Sequence, residues 1–250
     1  MPEAQRLDFL VGTLGELHLM AEAYRRQDRL PAALRADIRL AIGWTQSREA
    51  LLEDAEAPRL RARWMVLATV NEVQPDKLRR LETWLYRIGD GDGPPVAVLI
   101  DFMPVSLGSV KNTYAPGEAF EAELCFYPSG APLRAIVATQ FGGAEQEPRW
   151  AAPAEGIAAA LDRYEAALGA RPWLGDWPLA MQGTAVTRVA GGFVLTSSDG
   201  TTLPLLAKED DRLLPLVGLA GLDSFGLWDG RHFDLKYAET PLGRWVGAAS

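Results

Sequence analysis

One cysteine, Cys125, and two histidines, His18 and His232, are all the thiol and imidazole that 250 residues contain. A single thiol excludes an internal disulfide and agrees with a reducing compartment. Two separated imidazoles leave little from which to assemble a nucleophile and its base. No run approaches the roughly 18 apolar residues of a membrane span, and the opening MPEAQRLDFL lacks the basic and apolar regions of a secretory signal. The expectation is a cytoplasmic protein with no membrane association. Positive charge is also short, with 25 Lys and Arg against 33 Asp and Glu for a net charge of -8. That balance disfavours a nucleic-acid surface, which depends on clustered cations releasing counterions. Two local groups, Arg59, Arg61, Arg63 and Lys77, Arg79, Arg80, are read as solvated faces. The phosphate-cradling, dinucleotide-binding, H-E-x-x-H and G-x-S-x-G motifs are all missing, and no internal repeat is apparent.

What is present divides into three regions, 1–58, 59–150 and 151–250. In the first, Leu7, Leu10, Leu14, Leu17, Ala21 and Tyr24 recur at three- and four-residue steps, one face of a helix reaching about Arg26. Gly12 and Gly15 weaken it locally. A second helix opens at Pro31, whose missing N–H has no helical partner to lose, with Leu34, Ile38 and Ala41 as its buried stripe. The short link predicts a helical hairpin. The second region changes period: Phe120, Ala122, Leu124 and Phe126 alternate against Glu121, Glu123 and Cys125, the mark of an antiparallel sheet with one wet side. GDGDG at 89–93 is expected to be a hairpin loop, because a calcium loop would need a third oxygen ligand and a downstream glutamate. The third region opens with a helix that starts at Pro153 and stops before Gly169, carrying Ile157, Leu161, Tyr164 and Leu168 on one face, and continues into hairpins at Asp199-Gly200 and Asp229-Gly230. The fold class is α+β: a helical hairpin, a central antiparallel sheet, then a helix and a second antiparallel region.

Candidate sites are few. Asp101 lies inside the apolar run VLIDFM, where a carboxylate is either shifted for use or simply turned outward toward a base such as Arg87 or Arg134. Trp228, Asp229, Arg231 and His232 gather aromatic and polar groups at one hairpin, and Trp173 stands in a loop after the third helix. Cys125 has no neighbouring histidine to lower its pKa, so packing or exposure is expected of it. No metal ligand set and no cofactor are expected.

The segments GELHLMAEAYRRQDRLPAALRADIRLAIGW (15–44), RRLETWLYR with VAVLIDFMP, and PGEAFEAELCFYPSGAPLRAIV (116–137) together resemble the C-terminal part of bacterial SWIM zinc finger family proteins. The likeness covers about the first 140 residues. It implies a bacterial multiprotein system in which a MoxR-type ATPase or a von Willebrand A-type protein is the partner. The family's Cys-x-Cys and Cys-x-His zinc site cannot be carried over, because one cysteine and two distant histidines cannot supply four ligands. The resulting expectation is a non-catalytic scaffold or protein-interaction module whose aromatic anchors, Trp173 or Trp228, enter a partner's pocket. The competing expectation is a hydrolytic enzyme or small-ligand binder using Asp101, Asp229 and His232 in a cleft between the sheet regions.

Overall fold

The structure, a computed structural model, describes residues 3–107, 113–206 and 212–247. It is α+β. Helices α1 (Glu3–Arg25), α2 (Ala32–Ala41) and α3 (Arg48–Glu53) precede strands β1 (Arg59–Val73), β2 (Leu78–Ile88), β3 (Val96–Pro104), β4 (Glu118–Phe126) and β5 (Arg134–Gln146). Helix α4 (Ile157–Ala170) then introduces β6 (Trp177–Val189), β7 (Gly192–Thr196), β8 (Thr202–Pro204), β9 (Leu222–Trp228), β10 (Phe233–Thr240) and β11 (Gly243–Val246).

Strands β1 to β5 close into a barrel in the order β1-β2-β3-β5-β4. All neighbours are antiparallel except β3 and β5, which meet in parallel at Val98↔Arg134 and Leu99↔Ala135. This Greek-key connectivity is that of the OB-fold. The second sheet, β11-β10-β9-β6-β7-β8, repeats it. Counting from β6, the first strand pairs with the second (β7) and the fourth (β9), and the fourth pairs with the fifth (β10). A parallel bridge, Leu205↔Phe233, brings the end of β8 to β10, and the Leu206 N–H donates to the Phe233 carbonyl at 2.9 Å. Strand β11 continues along the edge of β10 beyond that bridge. The chain is therefore two similarly wound barrels in tandem.

Each barrel has its own apolar interior. Trp64, Val66, Leu85, Phe120, Leu124 and Phe126 fill the first. Met181, Val186, Phe193, Leu195, Leu222 and Phe233 fill the second, where α4 packs Ile157 and Ala160 against them. A third cluster lies between the barrels: Met65, Leu67, Trp84, Val96 and Val98 from the outer face of the first meet Ala180, Phe225, Leu227 and Tyr237 of the second. Bulges make this double coverage possible. In β1 the register shifts between Val66 and Ala68, and in β10 between Leu235 and Tyr237. A bulge inserts one residue and reverses the phase of the side chains that follow. Phe233 and Leu235 consequently enter the barrel interior, whereas Tyr237 turns to the inter-barrel layer.

The linker between the barrels is held by a buried polar cluster. Glu239 Oε1 accepts from the Tyr237 hydroxyl at 2.5 Å, from Arg244 Nε at 3.2 Å and from the Trp150 N–H at 3.2 Å. Arg244 also donates to the Glu147 carbonyl at 2.7 Å, tying the chain just beyond β5 to β11. The Tyr237 phenol is pushed well above its usual range by burial and by its bond to Glu239. Asp223 stands opposite Glu239 across β9 and β10 and is 5% exposed. Burial raises its pKa, with Arg149 and bonds from Ala152 and Gln182 acting in the opposite direction. A carboxyl whose folded pKa is raised binds its proton more tightly when folded. Its ionisation therefore lowers stability as pH climbs from the ordinary aspartate range through the raised value. Asp223→Asn should remove that term, so that urea unfolding at a series of pH values shows the variant gaining on the wild type as pH rises across this window.

The helices depart from expectation more than the strands do. Helix α1 runs as read, but Leu7, Leu10, Leu14 and Leu17 are 53–64% exposed, and α1 packs only loosely on α2. In α2 Ile38 is buried and Leu34 partly so, while Ala41 is exposed. Asp37 beside Ile38 is buried instead, its Oδ2 accepting from the Gly130 N–H at 2.7 Å and its Oδ1 lying 3.7 Å from Arg171 Nε. This carboxylate pins α2 to the β4–β5 turn and to the end of α4. Helix α4 begins at Ile157 rather than Pro153, and Leu168 is exposed while Ala167 is buried. Four of the six cations in the local basic groups pair with acids: Arg59 with Glu123, Arg61 with Glu121, Arg63 with Glu147 and Arg80 with Glu82.

Candidate functional site

In an OB barrel the ligand face is formed by the second and third strands with the flanking loops. In the first barrel that face is spent on the fold. Trp84 of β2 and Val96 and Val98 of β3 are buried in the inter-barrel layer, with Tyr86, Ile88 and Ile100 packed against them. What remains open is the margin of this layer. There a cleft of about 650 Å³ runs between Tyr86, Pro94, Pro95, Val96, Pro132 and Leu133 of the first barrel and Trp177, Pro178 and Ala180 of the second, closed at one side by Pro153, Glu155, Arg163 and Ala166. Its volume is that of an ordinary ligand pocket, and its place at a domain junction is where such pockets form.

Proline dominates this lining for a physical reason. Pro94 and Pro95 stop the loop before β3, Pro132 ends the turn before β5, Pro153 lies in the linker, and Pro178 sits near the start of β6. A proline offers no N–H and has a fixed φ, so the walls they build are apolar and stiff. Tyr86 and Trp177, both half-buried, add the aromatic surface. Arg163 and Glu155 form an ion pair at the mouth, and Arg163 Nη2 donates to the Ala180 carbonyl at 3.4 Å. Burial lowers the pKa of the Arg163 guanidinium and raises that of the Tyr86 phenol. The pair cancels its own charge, so the cleft presents a near-neutral surface with two aromatic rings and a few directional polar groups.

The residues singled out from sequence sit elsewhere. Trp173 and Trp228 are 7% and 8% exposed, buried within the chain itself, Trp228 in the core of the second barrel; they are not available as anchors for a partner. The correction follows from position, since Trp228 ends a central strand whose neighbours Trp177 and Phe233 cover it. Asp229, Arg231 and His232 form the exposed loop between the fourth and fifth strands of the second barrel. Asp229 Oδ1 accepts from the Arg231 and His232 N–H groups, each at 2.6 Å, which is the work of a turn-capping aspartate. His232 Nδ1 lies 3.8 Å from Asp229 Oδ2, with both side chains nearly half exposed. Asp101 is exposed on β3 of the other barrel, opposite Leu81, while Arg134 stands level with Val98. None of Asp101, Asp229, Arg231 and His232 lines the cleft. Among the described residues no three His, Cys, Asp or Glu side chains are grouped to hold a metal ion, and no helix is long and apolar enough to cross a membrane.

Cys125 faces away from the barrel interior, as its phase requires, yet it is fully buried because α3 lies over it. Leu51, Ala57 and Tyr127 surround it, and its thiol is 3.7 Å from the Leu51 carbonyl. Burial raises its pKa. The expected result with a thiol reagent such as iodoacetamide is no labelling of the folded protein and full labelling in denaturant, read by intact-mass spectrometry; labelling at the rate of a free thiol would show that α3 does not stay seated.

Arg163, Glu155, Tyr86 and Trp177 were not singled out from sequence, because no motif joins them. The spacing of Pro94-Pro95, Pro132, Pro153 and Pro178, each at the margin of a strand or helix, was the available signal. No family model, curated protein or solved structure matches this chain, so its site is read from geometry.

Proposed function

We propose that the chain is a non-catalytic protein-interaction module of a bacterial, cytoplasmic multiprotein system, and that the cleft between its barrels receives an apolar anchor from a partner protein. The observation that carries this reading is the cleft itself, whose proline and aromatic walls and self-neutralised Arg163–Glu155 pair suit a buried aromatic or proline side chain. The resemblance noted in the sequence adds the class of partner, a MoxR-type ATPase or a von Willebrand A-type protein.

The test is an affinity capture from bacterial lysate with three baits: the wild type, Ala166→Trp, which fills the cleft, and Asp229→Ala, which alters the 229–232 hairpin loop outside the cleft lining. Capture of one protein by the wild type and by Asp229→Ala, with loss for Ala166→Trp, supports the proposal. Equal capture by all three removes the cleft from it. A second reading, a small-ligand binder, is favoured by the cleft's volume alone. It predicts a bound metabolite in the native mass spectrum of the wild type that is absent from Ala166→Trp.

A further inference from the structure

The least explained surface of the molecule is α1. Its apolar residues Leu7, Leu10, Leu14, Leu17, Ala21 and Tyr24 keep strict steps of three, four, three, four and three. All six are exposed, from 41% at Tyr24 to 64% at Leu14 among the large side chains. Steps of three and four over about two and a half heptads keep these residues on one stripe, which a second helix bearing the same pattern can cover. The seam is chemically clean. No charged residue occupies it, and Gly12 and Gly15 fall outside it, where nothing lies within 4 Å. The flank bearing Thr13, Met20 and Ala23 is partly covered, consistent with α2 on that side, so the exposed seam has no partner within the described chain.

We infer that α1 pairs with α1 of a second copy of this chain, antiparallel, to form a dimer. The side chains select this occupant and this direction. In an antiparallel pair centred between Gly15 and Glu16, the layers are Leu7 with Tyr24, Leu10 with Ala21, and Leu14 with Leu17. The largest seam residue and the smallest each meet a leucine, and no layer has two small side chains. A parallel pair would place Ala21 on Ala21 and Tyr24 on Tyr24, leaving a void beside a crowded layer. The positions flanking the antiparallel seam bring Val11 to His18, Thr13 to Met20 and Arg6 to Gln27, with no like charges opposed. Opposed directions also suit the helix dipoles. With α2 beside each α1, the dimer is joined through a four-helix cluster.

Light scattering coupled to size exclusion, run on the full chain over a range of concentrations, tests this. The wild type is expected at twice the 27.2 kDa chain mass, and Leu14→Glu with Leu17→Glu at the single chain mass. Leu19→Glu, exposed but outside the seam, should remain a dimer. Because the substituted residues are exposed, far-ultraviolet circular dichroism and melting of the barrels should be unchanged. Direction is read by oxidation: an equimolar mixture of Leu14→Cys and Leu17→Cys chains should cross-link, while each alone should not. A wild type that stays monomeric at its highest soluble concentration, a dimer indifferent to Leu14→Glu with Leu17→Glu, or cross-linking of either cysteine variant by itself would overturn the inference.

Discussion

Replacing Glu239 by alanine is expected to lower the free energy of unfolding by about 3 kcal/mol, the low end of the range for breaking a buried ion pair from one side, because Arg244 is partly exposed and keeps other acceptors. The carboxylate is 4% exposed and collects a phenol, a guanidinium and a backbone N–H on one oxygen. Its removal leaves the buried Tyr237 hydroxyl and the Trp150 N–H without their acceptor, while Arg244, whose side chain is 21% exposed, keeps its bonds to Gln146 and the Glu147 carbonyl. Glu239→Gln keeps an acceptor of the same shape and loses only the charge, so it should retain a large part of the stability. Urea unfolding followed by tryptophan fluorescence measures both. A loss below about 1 kcal/mol for the alanine variant, the scale of one ordinary hydrogen bond, would mean that the cluster is not the clamp described.

Trp150→Ala should have an effect of similar size and a different form. This side chain, 2% exposed, lies in the linker and touches both barrels: its ring is 5.3 Å from Tyr86 of the first, and 6.3 and 5.8 Å from Phe225 and Tyr237 of the second, each close to edge-on. Truncating a buried tryptophan costs about 3–5 kcal/mol. The loss falls on the layer that couples the barrels, so a single unfolding transition should separate into two, read by calorimetry. Trp150→Phe should largely restore one transition, since the indole N–H has no hydrogen-bond partner to lose. Two transitions in the wild type would falsify the idea that this layer unites the halves.

Much of the fold could be read from the chain because strands such as β4 carry an alternating pattern and several hairpins a glycine, although the β1–β2 turn makes do with Lys77 at φ 63°. Asp199-Gly200 and Asp229-Gly230 connect β7 to β8 and β9 to β10, and the GDGDG segment joins β2 to β3 with Arg87 donating to the Asp92 carbonyl at 2.5 Å. Closure was not legible. The parallel contact that shuts the first barrel involves two residue pairs and the second a single bridge, too little to leave a compositional trace. The duplication was hidden for the same reason, since what repeats is connectivity and not sequence. Alternation also misled where both faces are covered. Phe233, Leu235 and Tyr237 alternate in the chain with Asp234 and Lys236, but the bulge at Lys236 sends Tyr237 to the opposite layer. Lys236 itself is 6% exposed and reaches Asp234 at 2.8 Å. The candidate site was least legible. Its residues come from loops and element ends of both barrels, and the tryptophans that looked available are consumed by packing.

The layer between the barrels also constrains the order in which the molecule can be made. During synthesis the first ring of strands has all its hydrogen-bonding partners once residue 146 has left the ribosome, yet Met65, Trp84, Val96 and Val98 on its outside wait for Ala180, Phe225 and Tyr237 to be translated. For that interval, several seconds at about 5–20 residues per second, a nearly finished domain shows an uncovered greasy flank. A nascent chain of this protein is therefore a natural client for a holding chaperone, and arrest of translation shortly after β5 is the point at which it should aggregate.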